Sequence, residues 1–217
     1  MFDAHSHFAS PDALVCSADA LLPSGPALRR GIGALAGGIG LDDATAVLIE
    51  KALKADPSLM VGEVGLDRRF TDRVPAAVQR DFLRRSCSLA RFYGRPVILH
   101  CVRMYGELLS VIREFPDVRF MVHGFSGSEE TGRELVRNGV LVSLRPGFPA
   151  RLEGWVRSCP GKWVAESDFT GTDAALYNEV LVEHYRRLAG LLGTDTDRLE
   201  EICRGASEVF ADFQTAR

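Results

Sequence analysis

Apolar runs that stop at a histidine or a carboxylate constrain this chain more than any other feature. Phe2-Asp3-Ala4-His5-Ser6-His7, Arg95-Pro96-Val97-Ile98-Leu99-His100 and Arg119-Phe120-Met121-Val122-His123 each place an imidazole where a β-rich run ends. Short runs of this kind, bounded by turn residues, read as strands. The pattern predicts eight of them, over 2–7, 13–18, 29–35, 59–64, 96–101, 118–123, 139–144 and 162–167.

Helical periodicity fills most of the gaps. Ala44, Val47, Leu48 and Ala52 follow i, i+3, i+4, i+8 spacing, the apolar face of a helix. The stretch 75–93 ends before Gly94 and the stretch 104–114 ends before Pro116, both stop signals. Ser126-Gly127-Ser128-Glu129 resembles a capping box, with Ser126 as the cap. Leu181, Tyr185, Leu188 and Leu192 form a further stripe, and 197–213 reads as a final helix.

Eight strands with intervening helices predict parallel βαβ units closed into a TIM (β/α)8 barrel; an open doubly wound sheet is the alternative. The chain has 217 residues, fewer than the ~250 typical of that barrel. The deficit has a location. Only Phe8 to Asp12 separate the first two strands, and Pro23, Gly25 and Pro26 make the next connection poor helix material. The first two outer helices are therefore expected to be missing or reduced. No repeat, low-complexity tract or linker interrupts the pattern, so 1–217 is expected to be one domain.

Composition excludes several classes. With 46% hydrophobic residues and a net charge of −3, the chain is neither disordered nor basic overall. Five scattered cysteines without a C-x-x-C pair suggest reduced thiols. No leader is expected at the N-terminus, and no apolar run approaches the ~18 residues of a membrane span. A cytoplasmic protein with no obligate protein partner is the expectation.

The C-terminal rim of a barrel is where active sites form. His5 and His7 are two apart on the first strand and so project to the same side. His100 and His123 end the fifth and sixth strands, Glu63 lies near the end of the fourth, and Asp168 follows the eighth. Four imidazoles and two carboxylates at one end of successive strands suit divalent metals such as Zn, Mg or Mn. Closure would make strands one and eight neighbours, so His5, His7 and Asp168 can share one ion. Glu63, His100 and His123 can share a second, and a carboxylate can bridge the two.

This ordered set resembles the TatD family of metal-dependent hydrolases. The residues that carry the resemblance are Phe2-Asp3-Ala4-His5-Ser6-His7, Gly62-Glu63-Val64-Gly65-Leu66-Asp67, Pro96 to His100, His123-Gly124-Phe125-Ser126-Gly127-Ser128 and Glu166-Ser167-Asp168. It implies an amidohydrolase-like barrel with deoxyribonuclease activity, often 3'-5' exonucleolytic. His5 and His7 would bind one ion, His100 and His123 the other. Glu63 would bridge them, and Asp168 would help activate water. Many amidohydrolase relatives bridge with a modified lysine, but Lys51, Lys54 and Lys162 are all misplaced for that role, which leaves Glu63.

Departures from the family pattern lie on the rim. Val102 stands where an arginine is usual, with Arg103 next to it, and Gly31-Ile32-Gly33-Ala34 lacks the family's histidine. The expected function is phosphodiester hydrolysis of DNA or a smaller phosphodiester. An amide, lactone or ester hydrolase and a non-catalytic metal-binding barrel are the alternatives. Arg68, Arg69, Arg103 and Arg145 are candidate phosphate contacts. Asp67 either orients a ligand from behind or caps a turn. Cys101 is expected to face away from the barrel interior, and His184 is expected to be structural or exposed.

Overall fold

A computed structural model describes residues 1–17, 23, 25, 27–38 and 40–211. Strands β1 (Asp3–Ser6), β2 (Ser10–Ser17), β3 (Ala27–Ile32), β4 (Met60–Asp67), β5 (Val97–Val102), β6 (Phe120–Val122), β7 (Leu141–Leu144) and β8 (Trp163–Ala165) form one sheet in sequential order. Every neighbouring pair is parallel. The order matches the expected barrel and excludes the doubly wound alternative, whose order reverses at a switch point.

The seam between β8 and β1 is closed beyond the end of β8. Asp168 N donates to the His5 carbonyl at 3.1 Å, and His7 N donates to the Phe169 carbonyl at 3.0 Å. Buried Asp3 completes the closure, accepting from Ser167 N at 2.8 Å and from Ser167 Oγ at 2.6 Å. Burial pushes the Asp3 carboxyl up to about 6.

Helices α1 (Asp43–Ala55), α2 (Ala76–Tyr93), α3 (Tyr105–Glu114), α4 (Glu129–Arg137) and α5 (Glu153–Ser158) connect successive strands from β3 onward, and α6 (Ala174–Leu192) and α7 (Thr196–Ala211) follow β8. Among the described residues no helix joins β1 to β2 or β2 to β3, as the short and Pro-rich connections imply. Ala18, Pro26, Asp212 and Phe213, which the sequence reading included in the second strand, its turn and the last helix, lie outside the described residues. Among those described, no helix is long and apolar enough to cross a membrane.

Local chemistry sets the helix ends. The Asp42 carboxylate caps α1 through Thr45 N, and the Asp173 carboxylate caps α6. Gly94 and Gly193 end α2 and α6 at φ 67 and 66, where a side chain would be strained. Two expectations need correction. Val47 and Leu48 on α1 are 46% and 52% exposed; the buried stripe is Thr45, Ala46, Ile49 and Leu53. A helix set by tertiary packing buries the face turned toward β4, whichever apolar stripe is longer. The cap of α4 is Ser128, which accepts from Thr131 N at 3.1 Å, whereas Ser126 N donates to the Tyr105 hydroxyl at 3.2 Å.

His184 is buried on α6 with Nε2 2.7 Å from the Leu144 carbonyl, so its role is structural. Burial pushes it down to about 4. A histidine whose folded value lies below its unfolded one contributes fully above pH ~6.5 and loses that contribution as pH falls toward the folded value. Urea unfolding of His184→Gln and wild type at pH 7 and pH 4 is expected to show the balance moving toward the variant at pH 4, by roughly 3 kcal/mol. A pH-independent difference would contradict it.

β4 and β5 also approach closely. In their register Gly65 stands opposite His100, and a Cβ at Gly65 would collide with the His100 carbonyl oxygen. Gly65→Ala is expected to cost about 1–3 kcal/mol by overpacking. Gly106→Ala in α3, with nothing within 4 Å of its would-be Cβ, is expected to stabilise by about 0.5–1 kcal/mol. Denaturant midpoints of the two variants would test the contrast.

Candidate metal centre

All six expected ligands converge at the C-terminal rim. β1 is short and extended, so alternation turns His5 and His7 to one side of it. Both Nε2 atoms lie 2.9 Å from the same oxygen, Glu63 Oε1. The other oxygen, Oε2, lies 2.9 Å from His123 Nε2 and 3.6 Å from His100 Nδ1. The carboxylate therefore divides its two oxygens between two histidine pairs. Asp168 follows β8 at φ 50, a left-handed conformation that Asp tolerates better than most residues. Its Oδ1 is 3.9 Å from both His5 Nε2 and His7 Nε2.

The electrostatics suit cations. Glu63 is almost wholly buried, which by itself would raise its pKa. The charges of His123 and His5 outweigh that and hold the carboxyl well below the usual range. Burial lowers His7, but Glu63 overrides it and the imidazole is raised. Several polar atoms here are buried without a well-aligned hydrogen bond: His5 Nδ1 and His123 Nδ1, and the facing pair His5 Nε2 and Glu63 Oε1, which are 2.9 Å apart but not in hydrogen-bond geometry. Buried polar atoms are seldom left unpaired. His5, His7 and Asp168, the first expected set, bring ligand atoms within 4.8 Å of one another, and so do His5, Glu63 and His123, so His5 belongs to both groups. The second expected set also meets, with Glu63 Oε2 2.9 Å from His123 Nε2 and 3.6 Å from His100 Nδ1, and those two nitrogens 3.0 Å apart. The donor set and its unpaired atoms fit divalent cations.

The surrounding residues fall into two groups. Arg145 pairs with Asp168, Nη1 to Oδ2 at 3.7 Å, and is half exposed. Among the described residues no ion pair or side-chain hydrogen bond ties Arg68 or Arg103 to the cluster; both are exposed. Arg69 folds back on Asp67, Nε lying 3.0 Å from each carboxylate oxygen. Asp67 caps the turn at Arg69 N, 2.9 Å away, and its other oxygen lies 3.0 Å from His100 Nε2, so the two expected contacts coexist. Burial pushes the Cys101 thiol up to about 12, the opposite of what an attacking thiolate needs.

Glu166 is a residue that sequence reasoning left without a role. It is fully buried, accepts from Gly124 N at 2.6 Å and from Ser143 Oγ at 2.5 Å, and stands 3.9 Å from His123 Nδ1. Burial first, then the charge of Asp168, raise its carboxyl well above the usual range. Asp3 is similar. The available signal was the same for both: an acidic residue abutting an apolar strand, where charge must be compensated.

Comparison with known proteins agrees with this architecture. The family model described as TatD related DNase matches residues 40–211. A Saccharomyces cerevisiae protein named uncharacterized deoxyribonuclease YMR262W is 26% identical over 187 residues, covering 71% of this chain and 60% of that protein. The human 3'-5' RNA nuclease TATDN2 is 30% identical over 104 residues, 47% of this chain and 13% of that protein. The chain thus spans less than two thirds of either curated relative. The crystal structure of YJJV, a TatD homologue from Escherichia coli K12, superposes with a TM-score of 0.75 at 20% identity, covering 91% of this chain and 85% of the other. A TatD family hydrolase from Entamoeba histolytica gives 0.72 at 14% identity, covering 94% and 85%. The two crystal structures share the fold. With the matched model spanning most of its length, the chain belongs to the TatD-related DNase family.

Proposed function

We propose that the chain is a two-metal phosphodiesterase acting on nucleic acid, DNA in the first instance. The observation that carries the reading is the Glu63 carboxylate, with one oxygen facing His5 and His7 and the other facing His100 and His123. His5, His7 and Asp168 would hold one ion, His100 and His123 the other, and Glu63 both. The ions could be Zn²⁺, Mg²⁺ or Mn²⁺. When bound, they supply Lewis acidity, neutralising charge on a phosphate and making water a stronger acid.

The chain's own residues do the rest. Glu63 is held in one orientation by its imidazoles. The Asp168 side chain is 23% exposed at the rim, so one of its oxygens can take the proton of an attacking water. Arg145, beside Asp168 and half exposed, can contact a substrate phosphate without moving far. Nucleic acid is the substrate class shared by the names of the yeast and human relatives, a deoxyribonuclease and an RNA nuclease. The negative whole-chain charge is compatible with this, because bound cations are the largest local charges in such a site.

The test is nucleotide release from end-labelled single-stranded DNA, with RNA alongside, in Mg²⁺, Mn²⁺ or Zn²⁺. Release is expected to vanish with EDTA. It is expected to fall by roughly 10²–10⁴-fold in Asp168→Asn, with the melting temperature of the variant preserved. His100→Ala is also expected to lose release. Near wild-type rates in Asp168→Asn would remove it as proton acceptor. No release of either polymer by metal-loaded protein would favour an ester, lactone or amide as substrate.

A further inference from the structure

We propose that Asp67 is a positioning residue that decides which nitrogen of His100 faces the metal centre. The inference rests on the two-metal reading above and concerns the side of the centre that holds His100 and His123.

Strand register is the starting point. Gly65 on β4 pairs with His100 on β5. Glu63 and Asp67 lie two residues to either side of Gly65, on the same face of the strand. The His100 ring therefore sits between two carboxylates. Its Nε2 is 3.0 Å from Asp67 Oδ2, while its Nδ1 is 3.0 Å from His123 Nε2 and 3.6 Å from Glu63 Oε2. A carboxylate accepts, so Nε2 carries the N–H, and the neutral ring that a metal needs then has its lone pair on Nδ1, facing the centre.

The other buried imidazoles lack this arrangement. His5 Nδ1 and His123 Nδ1 have no hydrogen-bond partner, and Glu166 Oε1 at 3.9 Å from His123 Nδ1 is beyond hydrogen-bond reach. Asp67 is itself held on every side. Arg69 binds both carboxylate oxygens through Nε and caps Oδ1 through its backbone N–H. Buried Gln79 on α2 accepts from Asp67 N at 2.7 Å and donates to the Asp67 carbonyl at 3.1 Å. The turn cap and the Arg69 guanidinium, whose Nη2 also lies 2.5 Å from Oδ2, account for how Asp67 is held; neither accounts for the contact of Oδ2 with His100 Nε2.

The experiment has two arms. In the first, ¹⁵N-histidine NMR of the metal-free protein reads the tautomer. His100 is expected as Nε2–H in wild type and as a mixture or Nδ1–H in Asp67→Ala. His184, whose Nε2 faces the Leu144 carbonyl, should stay unchanged as an internal control. In the second, Mn²⁺ is titrated calorimetrically into wild type, Asp67→Ala and His100→Ala. Asp67→Ala is expected to weaken the ion lost in His100→Ala by roughly 10–100-fold and to leave the other unaltered. Arg69→Met, which keeps the Asp67–His100 contact and serves if Asp67→Ala folds poorly, should retain the Nε2–H tautomer. An unchanged tautomer and unchanged Mn²⁺ affinities in Asp67→Ala would overturn the proposal, as would an Nδ1–H tautomer of His100 in both wild type and Arg69→Met. Wild type that takes up none of Mn²⁺, Zn²⁺ and Mg²⁺ would instead overturn the two-metal reading, and the tautomer arm would still decide the role of Asp67.

Discussion

A carboxylate buried among imidazoles is the interaction on which the rest of this structure turns. Removing Glu63 from water costs several kcal/mol unless other charges or donors compensate. Here the compensation comes from three strands and the residues just beyond them: β1 supplies His5 and His7 follows it, β5 supplies His100, and His123 follows β6. Those strands can surround one side chain only if the sheet curls into a cylinder. The barrel and the polar centre are thus conditions for each other. The closure through Asp3 and Ser167 belongs to the same argument, because it brings the Asp168 loop against β1.

Strand register then does the fine placement. Alternation gives β4 three inward positions in a row, Glu63, Gly65 and Asp67, and β5 offers His100 to the middle one. A side chain at the middle position would separate the strands; glycine lets the imidazole come between two carboxylates. The motif Gly62-Glu63-Val64-Gly65-Leu66-Asp67 is therefore a packing instruction as well as a ligand motif, with Val64 and Leu66 buried in the hydrophobic layer.

The barrel and its six rim residues were legible because both depend on local pattern. Strand-end histidines mark themselves, and eight runs in sequence leave few ways to arrange a parallel sheet. What stayed hidden depends on partners far away in sequence. Nothing near Val47 or Leu48 indicates that α1 turns Ile49 and Leu53 inward instead, since that choice belongs to the surface of β4. Ser126 and Ser128 are equally good caps on paper, and the Tyr105 hydroxyl settles which one is used. Asp3 and Glu166 belong to the motifs that carry the resemblance, but their part in the structure emerges only when closure buries them against Ser167, Gly124 and Ser143. Arg68, Arg69, Arg103 and Arg145 were alike as candidates. Only geometry separates Arg145, which meets Asp168, from Arg69, which is spent on Asp67.

Among the described residues no helix joins β1 to β2 or β2 to β3, which bears on what holds the site in place. Outer helices cover the strands; they do not carry the ligands. β1 reaches β2 through a short connection without a helix, yet His5 and His7 still meet Glu63 on the same oxygen. Their placement comes from β1 pairing with β2 on one side and with the loop after β8 on the other. Covering helices are not among those constraints. Gly33, Ala34 and Val102 lie just beyond β3 and at the end of β5, on the same rim. A chain built this way can keep its polar centre while altering what reaches it, which places variation in substrate choice on the loops and in the first two βα units rather than in the centre itself.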